Sequence, residues 1–153
     1  MRAAILRQRG LSKLEFVVVA VIISVLVGML LTRTSDVQLA AERTEVDLTV
    51  RNIRAGIRMA VDAYTVRGQW DRLGTLAASN PVVFLSSPPR GYAGEAAASN
   101  IPGSWRFDPQ IHVLAYRPRQ PEAFEGETEL RWRMSTQRGI DGHVAGIELK
   151  NIP

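Results

Sequence analysis

The chain of 153 residues contains no cysteine, and none of its eight prolines precedes Pro81. Without cysteine the protein forms no disulfide, although an exported domain is free to use one. Because a proline inside a helix costs about 3 kcal/mol, the long proline-free stretch permits a single long helix. The two absences together favour a helical N-terminal part followed by a domain that folds without covalent cross-links.

The motifs that carry catalysis are also missing. No glycine-rich phosphate loop, serine nucleophile elbow or zinc-ligand spacing occurs in the sequence. His112 and His143, the only histidines, have no ligand or nucleophile partner at a characteristic spacing. The acidic residues from Glu122 to Glu129 do not meet a calcium-loop spacing, which favours a solvated surface loop. We therefore expect no enzyme activity, no cofactor and no bound metal.

What the sequence does contain is a long apolar run, residues 16–31, without a single charge. As a helix this run spans roughly 24 Å, short of a hydrocarbon core of about 30 Å, whereas residues 11–32 span roughly 33 Å. Four basic side chains precede the run and only Arg33 follows it closely, so the positive-inside bias places the N-terminus in the cytoplasm. A removed signal peptide is the alternative, but no A-x-A cleavage pattern follows the run, which favours a retained helix.

Glu15 lies directly before this run. A carboxylate at the centre of a bilayer costs about 2.5–3.5 kcal/mol on insertion scales. An acid in this position therefore needs either a cationic partner or a place among the lipid headgroups beside Arg9 and Lys13. The first reading points to function, because a buried carboxylate is tolerated when it is paired.

The residues around Glu15 resemble the prepilin peptidase site of type IV pilins and type II secretion pseudopilins. In that family a short basic leader ends in Gly, the first mature residue is apolar, the second is Thr or Ser, and the fifth is Glu. Gly10, Leu11, Ser12 and Glu15 match this pattern in type and spacing. Two residues depart from it: Leu11 stands where Phe is commonest, and Lys13 stands where an aliphatic residue is usual.

The resemblance implies that a membrane peptidase cuts between Gly10 and Leu11 and methylates the new Leu11 amine. It also implies that Glu15 pairs with the Leu11 amine of a neighbouring subunit. Such a pair would set the axial register of an incoming subunit more than it would add stability.

Helical periodicity continues beyond the apolar run. Apolar residues recur at spacings of three and four, which is typical of one buried stripe on an amphipathic helix: Val46, Val50, Ile53, Ile57, Val61 and Tyr64. Gly68 follows where a C-terminal glycine cap would fall, so we predict one helix from about Leu11 to Arg67. The predicted segments are a leader (1–10), a transmembrane half-helix (11–32), an amphipathic half-helix (33–67) and a globular domain (68–153).

The globular segment has strand patterns. Residues 104–107 and 111–117 predict a hairpin, residues 129–134 a strand, and residues 144–149 a fourth strand or an irregular segment. The breakers between Pro81 and Gly103 predict an irregular connector. The resulting α+β fold packs the long helix on a small antiparallel sheet of three to four strands, and the resemblance also implies a pilin-like fold. The aromatic residues at alternating positions are expected in the core: Trp105, Phe107, Tyr116 and Trp132.

The charge of the chain is concentrated at its start. The whole chain carries +4, whereas the residues after position 10 hold sixteen basic and fifteen acidic side chains, a net charge of +1. Arg51, Arg54 and Arg58 share one helix face but have acidic neighbours, so we interpret them as a solvated or inter-subunit face. Nucleic acid is therefore not an expected partner.

The resemblance implies a structural subunit (pilin, minor pilin or pseudopilin) of a type IV pilus or type II secretion filament. Its implied partners are other subunits, prepilin peptidase, an assembly platform protein and inner-membrane lipid. It implies a single-pass protein of the bacterial inner membrane with a periplasmic C-terminal domain, before assembly into a filament. Two alternatives stay open: a membrane-anchored periplasmic adaptor that does not polymerise, and a minor pilin that captures DNA through Arg131 and Arg133.

Overall fold

The structure is a computed structural model that describes residues 13–95, 99–140, 142 and 144–153, without the side chains of residues 31–35. Two α-helices and five strands form the main elements: α1 (Lys13–Val66), α2 (Leu73–Ala77), β1 (Tyr92–Glu95), β2 (Ser104–Asp108), β3 (Val113–Arg117), β4 (Leu130–Arg138) and β5 (Val144–Ile152). Three short 3₁₀ turns lie at Trp70–Arg72, Pro81–Phe84 and Pro121–Phe124. The chain divides into two compact units, one ending at Gln38 and the other running from Leu39 to Pro153. The protein is thus α+β.

Helix α1 ends at the predicted glycine. The amide of Gly68 donates to the carbonyl of Thr65 at 2.9 Å, and the amide of Gln69 donates to the carbonyl of Tyr64 at 2.9 Å. Gly68 has a φ of +68°, a left-handed conformation in which a side chain is strained. These features form a Schellman cap, which satisfies carbonyls of the last helical turn.

The sheet has the strand order β1-β2-β3-β4-β5. Strands β2 to β5 form an antiparallel meander, and the predicted hairpin is confirmed with Trp105 opposite Tyr116. The prediction for residues 144–149 is settled in favour of a strand, which continues to Ile152.

The prediction of three to four antiparallel strands is met in part, because β2 to β5 are four antiparallel strands but the sheet contains one more. A fifth strand, β1, pairs parallel with β2 inside the segment predicted to be irregular. Its sequence Tyr-Ala-Gly-Glu has one large apolar residue and no clear alternation, so it carries little strand signal. Its pairing with β2 is a contact between distant parts of the chain, which local periodicity does not report.

The core lies between the stripe of α1 and one face of the sheet, within the second unit. Its buried side chains include Val46, Val50, Ile53, Ile57, Val82, Trp105, Leu114, Tyr116, Leu130, Trp132, Met134, Ile147 and Leu149. The predicted stripe is confirmed from Val46 to Ile57, whereas Val61 and Tyr64 are only partly buried, and all four predicted core aromatics are at least 95% buried. The Trp105 ring centroid lies 4.7 Å from that of Tyr116 and 5.3 Å from that of Trp132. This aromatic cluster joins three neighbouring strands under the helix.

Gly56 allows the Pro81–Phe84 turn to approach α1 closely. A Cβ atom built on Gly56 would lie 2.1 Å from the carbonyl oxygen of Phe84, which is a steric clash. Only a residue without a side chain lets the Pro81–Phe84 turn contact the helix at this position. The same 3₁₀ turn places Val82 in the core.

Candidate functional site

The residues of the predicted processing and assembly site are only partly described. Gly10 and Leu11, the predicted cleavage pair, lie outside the described residues. Glu15 lies in the first turn of α1, and its side chain is exposed. The carboxylate therefore precedes the apolar segment on the same helix, where an acid interacts favourably with the positive end of the helix dipole.

The apolar segment, residues 16–30, lies within the span Lys13–Leu30, which is long and apolar enough to cross a membrane. Its large side chains are exposed: Phe16 is 65% exposed, Ile22 53% and Leu26 59%. Fully burying one such side chain is worth about 1.5–3 kcal/mol. A segment with this many exposed apolar residues needs an apolar environment, which lipid or other protein chains would provide.

Ser24, the one polar side chain of residues 16–30, is satisfied within the helix. Ser24 donates its hydroxyl to the carbonyl of Ala20 at 2.8 Å. In hydrocarbon such an internal hydrogen bond avoids the cost of an unpaired hydroxyl, which is several kcal/mol. The segment therefore presents aliphatic and aromatic atoms to its surroundings.

The structure also contains a buried carboxylate that the sequence interpretation missed. Glu42 is only 7% exposed. Its Oε1 accepts hydrogen bonds from the Tyr116 hydroxyl at 2.8 Å and the Arg119 amide at 2.6 Å, and its Oε2 accepts one from the Gln120 amide at 3.2 Å. Burial, followed by the hydrogen bond to Glu42, raises the pKa of Tyr116 well above its ordinary value.

These bonds attach α1 to the segment that follows β3. A second bond nearby has the same effect, because Arg43 donates its Nε to the carbonyl of Ala123. Glu42 lies four residues before Val46, so it continues the apolar stripe toward the start of the second unit. The sequence does contain a signal for this buried carboxylate, which is an acid at a position of the apolar stripe. An acid at such a position predicts burial with dedicated hydrogen-bond donors.

The outer face of the sheet carries a charged cluster. Glu129 accepts from Arg106 at 2.8 Å and from Arg131 at 2.7 Å. Burial alone would raise the pKa of Glu129, but the hydrogen bonds from both arginines outweigh it and hold this pKa below its ordinary value. One of the two arginines suggested for DNA capture, Arg131, is thus already engaged by a carboxylate.

The arginines of the helix face are also engaged in part. Arg51 pairs with Asp47 at 2.8 Å, as a surface pair one turn apart. Arg54 donates to the carbonyl of Leu149 at 3.2 Å from its Nη2 atom and at 3.3 Å from its Nε atom. Two of the three arginines therefore have partners within the protein.

Metal-ligating residues are not gathered into a site. Among the described residues, no group of three or more His, Cys, Asp or Glu side chains is placed to hold a metal ion. His112 lies in the turn before β3 with a φ of 52°, and His143 falls outside the described residues.

Comparison of the chain with protein-family models, with curated proteins and with solved structures finds no match. The functional interpretation consequently depends on the chain's own residues.

Proposed function

We propose that this protein is a structural subunit, of the pilin, minor pilin or pseudopilin type, that assembles into a filament through the apolar segment of α1. The observation that carries the proposal is the arrangement of Glu15 in the first helical turn, directly before an apolar segment whose large side chains are all exposed. The motif from Gly10 to Glu15 supports the same function.

The physical basis is a change of apolar environment. Before assembly, the span Lys13–Leu30, which contains the apolar segment, lies in the inner membrane. The C-terminal domain lies in the periplasm. In the filament the same side chains contact the segments of other copies, so little apolar surface meets water at either stage. Head-to-tail contact between identical subunits propagates instead of closing, which produces a helical filament.

Glu15 gives this assembly its register. After cleavage between Gly10 and Leu11, the Leu11 amine is a cation, and methylation keeps its charge. In an apolar bundle a carboxylate is tolerated when a cation pairs with it, so the position in which Glu15 meets a neighbour's Leu11 amine is favoured over shifted positions. The peptidase, the platform protein and membrane lipid are the partners this mechanism requires.

A pilin-like fold accompanies this function. The order of elements supports it, since one long helix is followed by a sheet that packs on the helix stripe. The Glu42 and Arg43 bonds support it as well, because they hold the sheet domain to α1 in a protein without disulfides.

The proposal is tested by incorporation of Glu15→Ala in competition with the parent chain, in cells that assemble the filament. We expect membrane insertion to be unchanged or improved, because the change removes a carboxylate, and incorporation to fall at least tenfold. Glu122→Ala is the matched control: it removes an exposed acid of the second unit and should incorporate like the parent. Equal incorporation of the Glu15 variant and the parent would refute the register role.

A membrane-anchored adaptor that does not polymerise is the second candidate. Lys13 favours it, because a lysine near the lipid boundary extends its ammonium to the headgroups more easily than it packs inside a filament. In that case Glu15→Ala has no effect on any assembly, and the chain stays in the membrane fraction.

A further inference from the structure

Strand β4 is longer than β3 and continues past the first residue of β3. Val113, the first residue of β3, lies opposite Arg133, whereas β5 pairs with β4 as far as Arg138. Within the described chain, no main-chain hydrogen bond joins residues 109–112 to β4. One edge of β4, over residues 134–138, therefore presents N–H and C=O groups that no strand pairs. We call this stretch the open edge.

The other edges of the sheet are protected. Strand β5 is the last strand, but the Arg54 guanidinium binds the Leu149 carbonyl on this strand. Strand β1, at the opposite side, has only four residues and a register irregularity. Short strands, irregular pairing and charged side chains are the usual means by which proteins block edge pairing. The side chains that surround the open edge differ from those at the other two edges.

The open edge borders a shallow, largely open depression of about 620 Å³, which we call the β4 cleft. One wall is α2, where Gly74 has no side chain and Ala77 has only a methyl group, so both leave space. Ile111 forms part of the rim and is 54% exposed. Space beside an unpaired strand edge, with apolar atoms at the rim, suits an extended peptide that adds to the sheet.

Two polar side chains of β4 line the cleft without partners. The Ser135 hydroxyl is buried and has no hydrogen-bond partner among the described residues, which is unfavourable for a buried polar group. The Arg133 guanidinium makes no ion pair or hydrogen bond with any described residue. Lys150 lies directly opposite Arg133 on β5. Like charges in directly opposed positions repel, so an anion beside Arg133 would be stabilised.

We propose that the β4 cleft binds an extended acidic peptide segment of a partner protein, which adds as a short strand along the open edge. Main-chain hydrogen bonds to residues 134–138 supply affinity. A carboxylate of the peptide binds Arg133, and Ser135 gains its missing partner. This binding is independent of the assembly proposed for α1, since every residue of the cleft belongs to the second unit.

The test uses the full chain in detergent micelles and a fluorescent six-residue peptide of alternating valine and glutamate. Fluorescence anisotropy should show saturable binding. A fully N-methylated peptide of the same sequence should bind at least tenfold more weakly, because it cannot donate main-chain hydrogen bonds. A peptide of alternating valine and lysine should bind more weakly as well, because Arg133 repels it.

Two variants locate the binding site. Arg133→Ala should weaken binding of the acidic peptide at least tenfold, and Ala77→Trp should abolish it by filling the cleft. Arg67→Ala, an exposed residue outside the cleft, is the matched control and should bind like the parent. Thermal unfolding of each variant shows whether the domain remains folded.

The proposal is overturned by any of three results. These are no saturable binding of the acidic peptide, equal binding of the N-methylated peptide, or undiminished binding by folded Arg133→Ala protein.

Discussion

Helix α1 has two parts, residues 13–38 in the first unit and residues 39–66 in the second. Both parts are α-helical, but they differ in how far their apolar side chains are buried. In the first part, Leu26 is 59% exposed and every other large apolar side chain of the segment is also exposed. In the second part, Ile53 and Ile57 are at most 1% exposed beneath the sheet. Helix formation is common to both, so it does not explain why the first part is apolar on all sides.

The difference identifies which part of the helix has a role in folding. The second part has one apolar stripe, and the sheet domain covers it, as expected for a surface helix of a folded domain. The first part has apolar atoms all round over residues 16–30, and none of its described side chains belongs to the core cluster. Because the first part is long and apolar enough to span a membrane and the second part packs in the core, mutations in the two parts should affect different measurements.

The largest expected effect is a loss of stability on truncating the buried stripe. Ile53→Ala leaves a cavity in the core cluster, of which Ile53 is a fully buried member, and should lower the free energy of unfolding by about 2–5 kcal/mol. Urea unfolding of the full chain in micelles, followed by tryptophan fluorescence, measures this because Trp105 and Trp132 are buried. Ile23→Ala is the matched control and should leave the transition unchanged; a comparable loss there would show that the first part belongs to the folded core.

The next effect concerns membrane insertion. Ile22→Arg places a charge at the middle of the apolar segment and should disfavour insertion by about 2.5–3.5 kcal/mol. Leu48→Arg makes a similar change on an exposed position of the second part and should not alter insertion. Alkaline extraction of membranes measures the retained fraction of each variant. If both variants are retained equally, the segment does not anchor the chain.

A smaller effect is expected from adding one methyl group to each part. Gly56→Ala brings a Cβ atom against the Phe84 carbonyl and should destabilise the domain by about 1–3 kcal/mol. Gly28→Ala meets no atom within 4 Å and should not change domain stability. Thermal unfolding of both variants gives the comparison, and a neutral Gly56→Ala would contradict the close approach of the turn to the helix.

The smallest effect is a pH dependence confined to the second part. The pKa of Glu129 is lower in the folded protein than its usual value, so its pairing with Arg106 and Arg131 stabilises the fold above the unfolded pKa. This stabilisation is lost as the pH falls through the folded pKa. The free energy of unfolding, measured from pH 7 down to acid, should therefore fall more steeply for the parent chain than for Glu129→Gln. Parallel curves for the two proteins would show that the pairing does not contribute.

Much of the fold follows from local pattern. The stripe from Val46 to Ile57 has helical spacing, Gly68 caps the helix, and the strands around Trp105 and Trp132 alternate in polarity. These signals lie within a few residues of one another, which is why they were sufficient. The α+β class and the core aromatics could be predicted from them.

The remainder depends on contacts between distant residues. Strand β1 exists because Tyr92 lies beside β2 in space, and nothing in its own four residues indicates a strand. Glu42 is buried because donors near Arg119 reach it from 77 positions later in the chain. The open edge of β4 likewise results from where β3 begins. Such features need the assembled sheet, whereas the Glu15 motif was visible because it is local.

The most direct test of the central claim is the accurate mass of the mature N-terminus, measured on protein from cells with an active prepilin peptidase. The account predicts a chain that begins at Leu11 and carries one methyl group on its amine. Retention of residues 1–10 in those cells would contradict it.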